Sequence, residues 1–249
     1  GFSLVMQQIP SCGDEVQRAA VMEREKRLRG IIFLGGRLDY SPEDLAMLNV
    51  PYVCCSYSNQ YGTLRIGEYS AVSIADEEAA QQAVDHLYDH GHRRIAALIC
   101  RPDDQSISQL RYQGYCKALA AHGIPLDPEL VMCAGSFDIR DAYEAVCEKL
   151  RQGAEFTALF AIADSMAIGA MRALRDEGRA VPQDCSVIAI DGLELSAYIE
   201  PPLTTLCQPM EEMGQRSAQI LLGLIHGHGA HCCEVLPTRL RQGGSVQDI

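Results

Sequence analysis

The stretch VPQDCSVIAIDGLELSAYIEPPLTT, residues 181–205, decides the fold. Pro182 marks a turn, residues 185–190 form an apolar run of strand length, and Asp191 stands where that strand ends. Pro201 and Pro202 then break the chain before a second apolar run. In open α/β sheets ligands bind beyond the carboxyl ends of the strands, so an acidic residue there is placed to meet one. The same residue type also caps helices and shapes turns, and position alone leaves both readings standing.

Working outward, short apolar runs alternate with amphipathic stretches, which predicts βα units and parallel sheets. Strands are expected at residues 2–6, 30–34, 50–55 and 72–74, with a helix over 15–28. Ser41-Pro42-Glu43-Asp44 is a capping box with proline at the first helical position and opens a short helix. A second series follows. Asp76 is read as the cap of a helix running to residue 90, then come strand 95–99, helix 106–121, strand 130–133 and helix 139–151. Strand 158–162, helix 165–177, strand 185–190, helix 211–225 and one last strand over 233–240 complete the pattern.

Composition bounds the function. The chain has 249 residues, 47% of them hydrophobic and 22% charged, the balance of a globular protein with a sizeable core. No apolar stretch reaches the ~20 residues that span a bilayer, and residues 1–10 lack the basic start and cleavage site of a signal peptide. Eleven scattered cysteines fit a reducing cytoplasm, where a thiol packs as a small hydrophobe. A net charge of −12 repels phosphate backbones, and the basic run at 24–29 is interleaved with glutamate, so these residues are not expected to grip DNA. No P-loop, Gly-x-Ser-x-Gly elbow, His-Glu-x-x-His or strand-following Gly-x-Gly-x-x-Gly is present, and no enzyme activity or cofactor is expected.

Five blocks in order carry a family resemblance: His86-Leu87 with GHRRIA from Gly91; Arg111-Tyr112-Gln113-Gly114-Tyr115 followed by Ala118-Leu119; TALFAIADSMAIGAMRAL from Thr157; the quoted stretch; and Gln208-Pro209 with Met213-Gly214. Together they resemble the LacI family of bacterial transcription repressors over nearly the whole chain. The resemblance implies a type I periplasmic-binding-protein-like fold: two doubly wound parallel-sheet subdomains joined by a hinge of three crossovers, with the ligand between them. Carried over, one subdomain takes residues 1–74 and 208–235 and the other 75–207 and 236–249. It also implies that the family's first strand and helix, and its helix-turn-helix headpiece, are missing ahead of Gly1. In a 2-1-3 strand order the first strand is interior, so its loss would leave a gap in the N-terminal sheet.

The resemblance also names candidate ligand residues. Arg111, which by position could be an ordinary surface arginine, matches one that reaches into the family's cleft and clamps polar groups. Asp164 and Asp191, both at strand ends, would accept hydrogen bonds from hydroxyls of a sugar or nucleoside. Phe137 matches a site where the family often places an aromatic against the ligand, although by its own residue type it equally fits a core. Met210, at a hinge crossover, looks like an apolar wall of the cleft. Two departures reduce hydrogen-bonding capacity: Ala163 stands where many members carry asparagine, and Ser56 where many carry aspartate.

The loop His226-Gly227-His228-Gly229-Ala230-His231-Cys232-Cys233 is rich in metal-ligand types, yet a closed tetrahedral site needs four converging ligands. A loop with structural and solvent roles is the preferred reading, and no metal is assigned; the same holds for His86 and His90. The expected function is therefore the effector-sensing and homodimerising domain of a cytoplasmic LacI-type repressor. Operator DNA would be met only through the missing headpiece. The alternative of the same fold is a periplasmic sugar-binding protein, against which the cysteines argue.

Overall fold

The computed structural model describes residues 1–9 and 13–249; Pro10, Ser11 and Cys12 lie outside the described residues. The helices are α1 (Glu15–Lys26), α2 (Pro42–Leu45), α3 (Asp76–Asp89), α4 (Ile107–Ala121), α5 (Ile139–Arg151), α6 (Asp164–Asp176) and α7 (Met210–Ile225). The strands are β1 (Ile31–Leu34), β2 (Tyr52–Cys55), β3 (Ala71–Ile74), β4 (Ile95–Ile99), β5 (Val131–Cys133), β6 (Ala158–Ala161), β7 (Ser186–Asp191), β8 (Thr204–Cys207), β9 (Cys233–Leu236) and β10 (Arg239–Arg241). They form two compact units, Gly1–Ser73 with Met210–Leu236, and Ile74–Pro209 with Pro237–Ile249.

The larger unit carries a six-stranded sheet in the order β10-β8-β7-β6-β4-β5. Its strands are parallel except β10, which runs antiparallel to β8. Every residue of β4 (IAALI) and β6 (ALFA) is buried, as parallel strands covered on both faces must be. Helices α3 and α4 pack closely because Gly114 has no side chain: a Cβ there would stand 2.1 Å from the Glu77 carbonyl oxygen. Helix α5 turns Ala142, Val146 and Cys147 inward on one stripe, the spacing of an amphipathic helix on a core. The strand order reverses between β4 and β6, so their carboxyl ends form the topological switch point where such sheets bind ligands.

The smaller unit has a four-stranded sheet in the order β1-β2-β3-β9. The capping box at Ser41 forms as expected, with Ser41 and Asp44 bonding reciprocally. Residues 2–6 do not form the expected strand. They find no neighbouring strand for their backbone groups, and Leu4 and Met6 are 88% and 81% exposed. Among the described residues, strand β1 pairs only with β2.

Two further expectations are corrected. The last strand is not continuous: it divides at Pro237, which lacks an N–H to continue a ladder, into β9 in the smaller unit and β10 in the larger. Asp76 is not a helix cap. Ala75 holds that position without a side-chain bond, and Asp76, one residue further on, is buried. No helix among the described residues is long and apolar enough to cross a membrane.

Candidate functional site

Arg111 stands near the start of α4, after β4, and is 3% exposed, which excludes the surface reading. Its Nε donates to Asp76 Oδ1 at 2.8 Å, and its Nη1 donates to the Ile162 carbonyl at 2.5 Å and to Asp191 Oδ1 at 3.1 Å. Ile162 directly follows β6, so the guanidinium lies across the carboxyl ends of β4 and β6, at the switch point. Burial works against the charge of Arg111, but Asp76 and Asp191 outweigh it and hold the pKa above its ordinary value.

Asp191 ends β7 with φ 134°, a backbone region that L residues rarely enter. Such strain persists where surrounding bonds over-determine it. Here Oδ1 also accepts from Gln208 Nε2 at 2.7 Å, and the Asp191 carbonyl accepts from the Gln208 N–H at 3.0 Å. The side chain remains 19% exposed, and Oδ2 takes part in neither side-chain bond. Nη2 of Arg111 is likewise outside the bonds that anchor the guanidinium. A carboxylate oxygen and a guanidinium nitrogen flanking one ion pair form an acceptor and a donor, the set that a pair of neighbouring hydroxyls satisfies.

Asp164 departs from the expectation of a ligand acceptor. It is wholly buried at the start of α6, where Oδ2 accepts from the Leu193 N–H at 2.8 Å and Ser196 Oγ at 2.6 Å, and Oδ1 from Thr205 Oγ1 at 2.5 Å. Burial pushes its carboxyl up against these bonds, and Asp191 adds to the rise. Asp164 therefore braces the loops around Asp191. Phe137 lies in the loop between β5 and α5, is 43% exposed, and accepts a bond from Ser165 Oγ through its carbonyl at 2.8 Å. Its loop thus meets the start of α6 on the same end of the sheet as Arg111 and Asp191.

Ser56 and Met210 belong to the smaller unit. Ser56 follows β2 with φ 72°, and Met210 is the first residue of α7, half-exposed. In the His/Cys loop, His226 Nδ1 donates to the Leu222 carbonyl at 2.8 Å and His231 Nδ1 lies 3.1 Å from Ser70 Oγ. Neither His228 nor Cys232 completes a set with them. Among the described residues no three His, Cys, Asp or Glu side chains converge as metal ligands.

Asp76 was missed as a site residue because its partner is 35 positions away, and an acidic residue before a helix looks like a cap. Gly114 held the available signal: a glycine inside a helical stretch marks a place where another element packs close, and here that element is α3, which carries Asp76. Two open grooves lie at the other ends of the strands, around Arg94, Lys149 and Arg179. Their cations are already engaged, Arg94 by the Glu155 carbonyl, Arg179 by the Phe156 and Asp184 carbonyls, and Lys149 by Glu129. Convergent polar groups with an exposed aromatic favour the switch point.

Comparison with known proteins identifies the fold and the family. A family model described as "Periplasmic binding protein-like domain" matches residues 84–246, which defines the class of fold. The HTH-type transcriptional regulator MalR of Clostridium butyricum is 33% identical over 251 aligned positions, covering all of this chain and 74% of that protein. The chain belongs to the LacI family of transcriptional regulators, which are not enzymes, and carries the family's effector-binding domain. A solved complex of the transcriptional regulator CelR with cellobiose superposes with a TM-score of 0.81 at 32% identity, over 94% of this chain and 70% of that one. The lac repressor dimer, bound to operator and the anti-inducer ONPF, superposes with a TM-score of 0.82 at 27% identity, over 98% of this chain and 83% of that one. The chain spans 58% to 74% of the length of the first curated regulators it matches.

Proposed function

We propose that this chain is the effector-sensing and dimerising part of a cytoplasmic bacterial repressor, and that its effector is a polyol, a sugar or a nucleoside. The observation that carries the reading is the Arg111–Asp191 pair at the switch point, with one donor and one acceptor left over. Vicinal hydroxyls satisfy both at once, and the exposed ring of Phe137 suits the apolar face of a sugar or a base. That the related CelR was solved with cellobiose supports a sugar. Ten free cysteines among the described residues suit a reducing compartment. At −12 net charge, operator binding would fall to a separate basic headpiece, with the two-fold dimer presenting a pair of them. Light scattering at micromolar concentration is expected to give a dimer; a strict monomer contradicts that part.

A thermal-shift panel of cellobiose, other disaccharides, nucleosides and purine bases tests the effector class. A true effector at 100 times its Kd stabilises by about 2.7 kcal/mol, which raises Tm by about 5 to 10 °C in a chain of this size. Stabilisation by at least one polyol is expected. A panel in which every polyol leaves Tm unchanged contradicts the reading.

A further inference from the structure

The partners of Arg111 differ in how they face solvent. Asp191 stands at a strand end with its side chain 19% exposed, whereas Asp76 opens α3 and its side chain is 5% exposed. Asp76 is therefore withdrawn from anything that binds at the strand ends. It nevertheless takes the Nε–H of Arg111 at 2.8 Å. A guanidinium is planar, so anchoring Nε to one carboxylate and Nη1 to the Ile162 carbonyl and Asp191 fixes the whole plane and with it the direction of Nη2. The same contact depends on the close approach of α4 to α3 that Gly114 allows.

We infer that Asp76 is a positioning residue for effector binding: it orients the Arg111 guanidinium so that its remaining edge, with Asp191, meets the hydroxyls of the ligand, while never touching the ligand itself. This rests on the polyol reading above, and the experiment separates the two. The intact chain is labelled with 15N-arginine, and the Arg111 Nε–H signal is assigned by its loss in Arg111→Lys. The wild-type Nε–H is expected to exchange slowly with solvent. Asp76→Asn is expected to speed that exchange by about tenfold or more, the scale of one charge-assisted hydrogen bond, and Asp76→Glu to restore part of the protection. Cellobiose, or the panel polyol that raises Tm most, is then titrated into the same variants, and its affinity is expected to fall in the order of lost protection.

Unchanged exchange in an Asp76→Asn protein that still unfolds cooperatively overturns the inference, as does faster exchange with undiminished polyol affinity. If Asp76→Asn does not fold, Asp76→Glu decides: a displaced Nε–H signal supports the inference and an unmoved one overturns it. Failure of every polyol to bind counts against the effector class, whereas the exchange experiment, made without ligand, judges Asp76 separately.

Discussion

In the larger unit β4 lies between β5 and β6, and all five of its residues are buried. In the smaller unit β1 has, among the described residues, a neighbouring strand on one side only, and Leu34 at its end is 72% exposed. The apolar run at residues 2–6 makes no ladder with any described strand. The two regions are written in the same kind of sequence, so composition does not explain the contrast. A strand is stabilised by neighbours that take its N–H and C=O groups and cover its side chains, and an apolar run without them stays irregular. The candidate site has formed in the region with the complete sheet, where buried strands on both sides of a switch point hold Arg111 in place.

Paired truncations separate the two sheets most strongly. Leu98 in β4 is fully buried, so Leu98→Ala is expected to cost roughly 2–5 kcal/mol in denaturant unfolding. Leu34→Ala, on the exposed edge, is expected to change stability by roughly 0.5 kcal/mol or less. Equal costs would show that the smaller unit is packed as well as the larger. Next in size is Gly114→Ala. The added methyl would meet the Glu77 carbonyl oxygen at 2.1 Å and Ala80 Cβ at 2.7 Å, forcing α4 away from α3 at a cost of roughly 1–3 kcal/mol. Thermal unfolding measures it, and a neutral outcome would mean that the helix contact is loose.

A smaller effect is the pH dependence of Asp164 and Asp76. Burial raises both carboxyls above their unfolded values, so the folded chain binds more protons than the unfolded chain in the window between. Their contribution is then most favourable below the unfolded pKa and is lost as pH rises through the folded one. Asp164→Asn should flatten this fall in stability with pH at a cost of about 1 kcal/mol. The amide oxygen still accepts from Leu193 and Ser196, while the amide nitrogen must turn the Thr205 hydroxyl from donor to acceptor. Urea unfolding across mildly acidic pH gives the slope; a variant as steep as wild type would assign the dependence elsewhere.

Much of the fold was legible because burial leaves a local signature. The run at 95–99 and the amphipathic helix at 139–151 were recognisable from their own residues, and both stand in the structure as β4 and α5. What was not legible depended on distant partners. Whether residues 2–6 form a strand is decided by a neighbour, and whether Asp76 caps a helix or anchors Arg111 is decided 35 positions away. At the site, Asp191 was identifiable as a strand-end carboxylate and Arg111 only through the family resemblance, and the structure joins them. Asp164 looked the same in sequence, but its acceptors are taken by Leu193, Ser196 and Thr205, donors from elsewhere in the chain.

In the proposed function, Arg111 and Asp191 form the polar floor of a polyol site. Calorimetric titration of the polyol that most stabilises the chain, into wild type and into Asp191→Ala, tests it most directly. Removing the carboxylate should cost roughly 1–3 kcal/mol of binding free energy, the penalty of leaving polar partners unpaired, while the variant keeps its helical content. Equal affinity for the two proteins would contradict the claim and place the ligand elsewhere on the chain.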